Sequence, residues 1–323
     1  MKTRAQTAEN SYSPWLHRFA RLAVGATFLL IVIGGIVTST ESGLAVPDWP
    51  TTFGYNMFLY PLSEMVGGVL YEHSHRLMGS LVGLLTVGLF IMVLVKDSRP
   101  WLRWLGFLAL IGVIVQGVLG GLRVTQLSLL LAMVHACLAQ AFFALLCGIA
   151  WWTSPGGKDT ARDRPSPYGL ANASVGEKRK LRRLSLVTTC LIYVQLIFGA
   201  ILRHTGHRLD AHLLFAFLVA LHIFLLARRM WQAADATPLK SEPTVLVVLL
   251  TVQLMLGTGA FFVKLTAFGE TVSTWLTVAI TTGHVAVGAL MLVTSFVLTL
   301  KIYRHTAVPT LDAAATPAHG ELV

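Results

Sequence analysis

The sequence predicts an all-α polytopic membrane protein whose eight transmembrane helices form two parallel-repeat four-helix bundles, with both termini cytoplasmic. Composition is the first observation behind this prediction: of 323 residues, 55% are hydrophobic and 12% charged, and the mean hydropathy is +0.69. The second is spacing, because apolar runs of about 20 residues, the length that spans a bilayer as a helix, recur along the chain. The third is the placement of Lys and Arg, 20 of the 25 falling in segments on one side of the predicted spans.

Taken in order, the predicted spans cover residues 19–39, 70–95, 102–122, 128–152, 184–203, 209–228, 244–263 and 274–303. The first is longer than the apolar part of a signal peptide and has no small-residue cleavage site before the next polar loop, so it is expected to stay as a mature helix. With the amino terminus inside, the cytoplasmic segments hold Lys2, Arg4, Arg18 and Arg21, three cations at 96–103, eight at 158–183, three at 228–240, then Lys301 and Arg304. Only Arg76, Arg123, Arg203, Arg208 and Lys264 fall outside. The net charge of +10 is therefore a topological signature of short basic loops, and no nucleic-acid partner is expected.

The stretch 153–183, with Pro155, Gly156, Gly157, Pro165, Pro167 and a basic run at 178–183, reads as a cytoplasmic linker. It divides an N-terminal half, 1–152, from a C-terminal half, 184–305, which a polar tail, 306–323, follows. The halves show weak internal similarity. Gln116 precedes Gly120 by four residues, as Gln195 precedes Gly199 and Gln253 precedes Gly257; His75 matches His212, and His135 matches His284. Four spans per half return the chain to its starting side, so the repeats are parallel, which weighs against an inverted-repeat transporter.

His75, His135, His212 and His284 fall near the starts of the even-numbered spans. All those spans run from outside to inside, so histidines roughly six to ten residues in would share one layer about 10 Å below the outer surface. One intramembrane histidine is more often a packing residue than a ligand. Two per half at matching positions point instead to function, because ionisable groups in lipid are costly, and imidazoles on facing helices can hold haem iron from both sides. The other histidines take the plainer reading: His17, His305 and His319 are flanking, His73 faces away from His75, His222 packs, and His204 and His207 lie in an outer loop, where such residues are usually solvated, a haem-edge contact being the alternative. Cys137, Cys147 and Cys190 are spread through the spans and read as small apolar packing residues.

The halves differ beside the first histidine of each. Glu72 precedes His75 by three residues and shares its face, whereas the equivalent position before His212 is Leu209. A carboxylate beside a ligand in one half only suggests chemistry in that half and a fixed cofactor in the other. A helix-start glutamate favoured by the helix dipole is the competing reading.

With these residues in place the chain resembles the haem A synthase family over essentially its whole length. The motifs that carry the likeness are Glu-x-x-His-Arg at Glu72, His75 and Arg76, then His135, then Gly-x-x-x-Arg-His-x-Gly at Gly199, Arg203, His204 and Gly206, and finally His212 and His284. The resemblance implies oxidation of the ring methyl of haem O to the formyl of haem A, destined for a haem-copper oxidase, in a bacterial cytoplasmic membrane. It implies that the N-terminal half holds substrate haem and the C-terminal half haem B, and that haem O synthase, oxidase assembly factors and a membrane electron acceptor or donor are partners. A homo-oligomer is left open. Many bacterial members carry a cysteine pair in the first outer loop; here residues 43–67 contain none, so a thiol-disulfide role for that loop is absent.

Within that resemblance Glu72 is the expected proton acceptor, His75 and His135 the substrate-haem ligands, and His212 and His284 the haem B ligands. Arg76, Arg123, Arg203, His204 and Arg208 are candidates for propionate or haem-edge contacts. If both N-terminal histidines stay on iron, water is the expected oxygen source; release of one histidine to admit dioxygen is the rival. Two other functions stay open: a dihaem b-type cytochrome for quinol-linked electron transfer, disfavoured because the ligands lie in one layer, and a non-catalytic haem carrier.

Overall fold

The structure is a computed structural model and describes residues 12–158, 173–233 and 241–306. Eight helices are long and apolar enough to cross a membrane, and the described residues form no strand. They are α1 (Pro14–Ser39), α2 (Gly67–Lys96), α3 (Pro100–Thr125), α4 (Leu129–Thr153), α5 (Val175–Thr205), α6 (Leu209–Ala233), α7 (Ser241–Leu265) and α8 (Thr274–His305). Serines mark several starts: the side chains of Ser13, Ser128 and Ser273 accept from Leu16, Leu131 and Leu276 N–H, and Ser174 forms a reciprocal capping box with Glu177. Pro14 and Pro100 occupy first helical turns, where a missing N–H costs nothing. At the far end of α5, Gly206 turns the chain with φ of 72° and donates its N–H to Leu202 O at 2.9 Å.

Starting at Val175, α5 takes in the basic run 178–183 that the sequence assigns to the linker. The capping box explains the earlier start, because it satisfies two helix-end donors before any apolar residue is reached.

In each half the four helices close into a ring. Neighbours pack in the order α1, α2, α3, α4 and back to α1, and likewise from α5 to α8 and back to α5; α1, α4, α5 and α8 form the seam between halves. One end of the assembly gathers the start of α1, where His17 Nδ1 lies 3.1 Å from Ala150 O near the end of α4, with the start of α5, where Arg182 donates to Tyr303 O near the end of α8. The starts of α1 and α5 thus share a layer, which is consistent with parallel repeats.

Packing is tightest toward that same end. The N-terminal core contains Leu16, Ala20, Leu89, Val93, Leu102, Leu146 and Ile149, and the C-terminal core Leu181, Leu226, Met230, Leu246, Leu298 and Ile302. A polar ladder joins α5 to α8, with Thr189 Oγ1 2.8 Å from Ser295 Oγ and Thr299 Oγ1 donating to Ser185 O at 3.1 Å. With little hydrophobic drive between helices in lipid, such contacts and close packing hold a bundle together. The four ligand-candidate histidines lie nearer the opposite end, beyond this core.

Candidate functional site

Each of the four histidines meets a glycine on the preceding helix. A Cβ built at Gly34 would fall 3.0 Å from His75 Cε1, at Gly120 3.3 Å from His135 Cε1, at Gly199 3.2 Å from His212 Cε1, and at Gly257 3.0 Å from His284 Cε1. Even a Cβ there would require the ring to shift by a few tenths of an ångström, so the four glycines are close-fitting cradles for the imidazoles. The repeat is regular: the glycine is always on an odd-numbered helix and the histidine on the next even one.

In the C-terminal half the His212 and His284 ring centres are 6.3 Å apart, with planes at 67°. Two imidazoles each about 2 Å from one metal on opposite sides place their ring centres about 6 Å apart, so the pair fits a single iron between α6 and α8. His212 lies only three residues beyond the start of α6, outside the expected spacing, whereas His284 lies ten beyond the start of α8. The rings meet because α8 starts further out than α6, by about 10 Å of helical rise.

In the N-terminal half His75 and His135 lie on α2 and α4 against the same type of cradle, and the Nδ1 atoms of both are buried without a partner. A buried ring nitrogen without a partner is costly in protein alone. Among the described residues no group of three or more His, Cys, Asp or Glu side chains converges on one point. Pairs of imidazoles suit an iron whose remaining positions a porphyrin fills.

Glu72 is buried at 1% exposure, and both of its oxygens are engaged: Oε2 accepts from Val46 N at 2.9 Å and Oε1 from Arg76 Nη2 at 2.9 Å. Arg76 also donates to Asp48 O at 2.7 Å, Thr51 O at 3.0 Å and Val46 O at 2.8 Å. Three of its N–H groups therefore buckle the first outer loop onto α2, and a fourth holds Glu72 on the same helix. His73, taken from the sequence as facing elsewhere, does so, and is part of the same buckle: it is buried, its Nδ1 is 3.1 Å from Thr52 Oγ1, and its ring centre is 5.2 Å from that of Tyr60.

The loop has its own internal order. Asp48 accepts from Thr51 Oγ1, Phe53 N and Gly54 N. Desolvation works to raise its pKa, but these hydrogen bonds outweigh it and hold the carboxyl down at about 2. Trp49 lies over α3 so closely that a Cβ at Gly121 would fall 2.2 Å from its indole. The space beside Gly121 is thus filled by a tryptophan from the loop.

The other basic candidates divide by what they touch. Arg203 donates to Gly35 O at 2.8 Å, Ser39 Oγ at 2.7 Å and Thr281 O at 3.4 Å, bridging α5 to α1 and α8 across the seam. Arg123 makes a single long contact, to Gly43 O at 3.3 Å, and retains most of its donors. Arg208 is exposed beside Asp210, 3.5 Å away, and His204 is partly buried at the end of α5. All three cysteines are free thiols.

Sequence reading notices Gln116, Gln195 and Gln253 only as signs of a repeat, yet the structure places all three beside the histidines. Gln195 Nε2 is 3.2 Å from His212 Nδ1, Gln253 Nε2 is 3.3 Å from His284 Nε2, and Gln116 Nε2 donates to His135 O at 3.2 Å. The signal was the Gln-x-x-x-Gly spacing, which puts both residues on one helix face.

Residues 55–210 match the family model COX15-CtaA, described as cytochrome oxidase assembly protein. That interval contains Glu72, His75, Arg76, Arg123, His135, Arg203 and His204 and ends just before His212. Among curated relatives, the chain is 29% identical to the heme A synthase of Lysinibacillus sphaericus over 62% of this chain and 61% of that protein. It is 31% identical to the heme A synthase of Symbiobacterium thermophilum over 58% of this chain and 60% of that one. For the heme A synthase of Exiguobacterium sibiricum the figures are 33%, 40% and 43%. The matched length is thus less than two thirds of each of these relatives.

Proposed function

We propose, from the match of residues 55–210 to the COX15-CtaA model and the likeness to curated heme A synthases, that this chain is a haem A synthase of the bacterial cytoplasmic membrane. It oxidises the ring methyl of haem O to a formyl group, giving haem A for haem-copper oxidases. The observation that carries this reading is the fourfold glycine-cradled histidine, with one pair of rings 6.3 Å apart. Haem O synthase and oxidase assembly factors are the expected neighbours in the pathway.

The two halves take different parts. His212 and His284 would hold haem B, a redox centre through which the four electrons released per methyl would pass to a membrane electron acceptor. His75 and His135 hold the substrate haem, and Arg123, the outer arginine with most donors to spare, is the best placed to meet a propionate. Glu72 accepts protons as the methyl is oxidised, with water supplying the oxygen. Its oxygens each accept one hydrogen bond and keep a second lone pair, so the buckle and proton acceptance are compatible. Arg76 and His73 close the first outer loop over this half and keep bulk water from the substrate.

The test is to express the full chain with a source of haem O, extract the haems and separate them by chromatography. Haem A in the extract supports a synthase. Haem B alone supports a cytochrome, and unchanged haem O supports a carrier.

A further inference from the structure

Three of the four histidine cradles carry a second feature that the binding of iron does not by itself explain. One turn before the cradle glycine, on the same helix, stands a glutamine: Gln116 before Gly120, Gln195 before Gly199 and Gln253 before Gly257. The Oε1 atom of each is buried without a hydrogen-bond partner. So is Nδ1 of His135 and of His284, while His212 has the Gln195 amide nitrogen against both ring nitrogens, at 3.2 and 3.4 Å. Buried amide oxygens and buried ring nitrogens without partners thus share the same cradles, and at His284 the ring atom that faces the amide is Nε2, 3.3 Å from Gln253 Nε2.

An amide and an imidazole N–H are satisfied together only in one orientation. When one ring nitrogen binds a metal the imidazole is neutral, the other nitrogen carries the proton, and that proton needs an acceptor in a medium that offers no water. A half-turn of the Gln195 or Gln253 side-chain amide exchanges its nitrogen and oxygen and brings Oε1 to the ring. At Gln116 the amide nitrogen already donates to His135 O, and Oε1, without a partner in the structure, stays free to accept from that residue's ring.

The first half breaks the pattern on α1. The residue one turn before Gly34 is Leu30, packed against the N-terminal apolar core, and His75 Nδ1 has no partner. An aliphatic side chain can neither accept the ring proton nor fix the ring's tautomer.

We propose that Gln116, Gln195 and Gln253 are positioning residues that hold His135, His212 and His284 on iron, and that Leu30 leaves His75 as the one exchangeable ligand. The proposal rests on the reading of the four histidines as haem ligands. It gives the halves a physical difference beyond Glu72: haem B is anchored on both faces, while the substrate haem is anchored on one and can be loaded, and released as product, through the other.

The test uses the full chain purified from cells that supply haem. Gln195→Leu and Gln253→Leu should weaken haem B retention roughly 10- to 100-fold, the usual effect of losing a partner of a ligating histidine. Gln195→Glu and Gln253→Glu, which keep an acceptor and strengthen it, should retain the haem and lower its midpoint potential, a shift that a merely structural amide would not cause. In the N-terminal half, carbon monoxide must displace a histidine to bind ferrous haem. Leu30→Gln should therefore slow carbon monoxide binding, and Gln116→Leu should speed it. If the wild-type protein carries haem while the Leu variants keep both retention and potential unchanged, or Leu30→Gln leaves carbon monoxide binding unaltered, the positioning role is refuted and the haem reading stands. If the wild-type protein takes up no haem, the underlying reading fails as well.

Discussion

Replacing Glu72 by glutamine separates the loop-holding part that this residue plays from the proton-accepting part proposed for it. The carboxylate accepts from Val46 N and from Arg76 Nη2, both at 2.9 Å. A glutamine has one oxygen for these two donors, so one of them faces an NH2 group. The loss is one charge-assisted bond, about 1.5–3 kcal/mol, or roughly 10- to 100-fold in the closure of the outer loop, since each 1.4 kcal/mol is about a factor of ten. Hydrogen exchange at the Val46 amide reads that loosening directly. Haem A output reads the chemistry, and loss of a proton acceptor lowers it by about 10² or more, with haem O accumulating. The companion Arg76→Gln removes the buckle and leaves the carboxylate, so it should speed exchange in the loop at least as much while keeping more haem A output. Equal losses of haem A in the two variants would mean that Glu72 acts only through the loop, and near-normal output from Glu72→Gln would refute its part in proton transfer.

Two further outcomes test the architecture around the site. Gly121→Val places a side chain where the Trp49 indole lies, since even a Cβ there would be 2.2 Å from the ring; overpacking of this kind costs about 1–3 kcal/mol, and limited proteolysis within residues 43–67 should accelerate, an unchanged digestion rate counting against the packing of Trp49 on α3. A reporter fused after Val323 should be active in the cytoplasm and one inserted near Asn56 on the outer side, following the placement of Lys and Arg; the reverse result would overturn the assignment of the histidines to an outer layer.

The helices were legible because bilayer length and charge placement are read residue by residue, and the boundary at Val175 was missed because a capping box outweighs the polarity of the residues that follow it. The matching placement of the four histidines is legible because they recur in the same order in each half. Their relation to Gly34, Gly120, Gly199 and Gly257 was not, since it joins residues on different helices whose relative heights the sequence leaves open. His212 shows the limit most directly, being only three residues into α6 yet paired with a residue ten into α8. Arg76 shows another: the sequence offers an outer arginine, and only the folded loop shows that backbone carbonyls and Glu72 take up its donors. The role of Arg203 across the seam was hidden for the same reason.

The optical spectrum of the purified protein with His212 and His284 both replaced by alanine tests the division of the two halves most directly. With haem B held by these two rings between α6 and α8, the low-spin b-type absorbance present in the wild-type protein should be lost, while substrate haem on His75 and His135 remains extractable. Retention of the full low-spin b-type spectrum in the double variant would contradict the assignment of that cofactor to the C-terminal half.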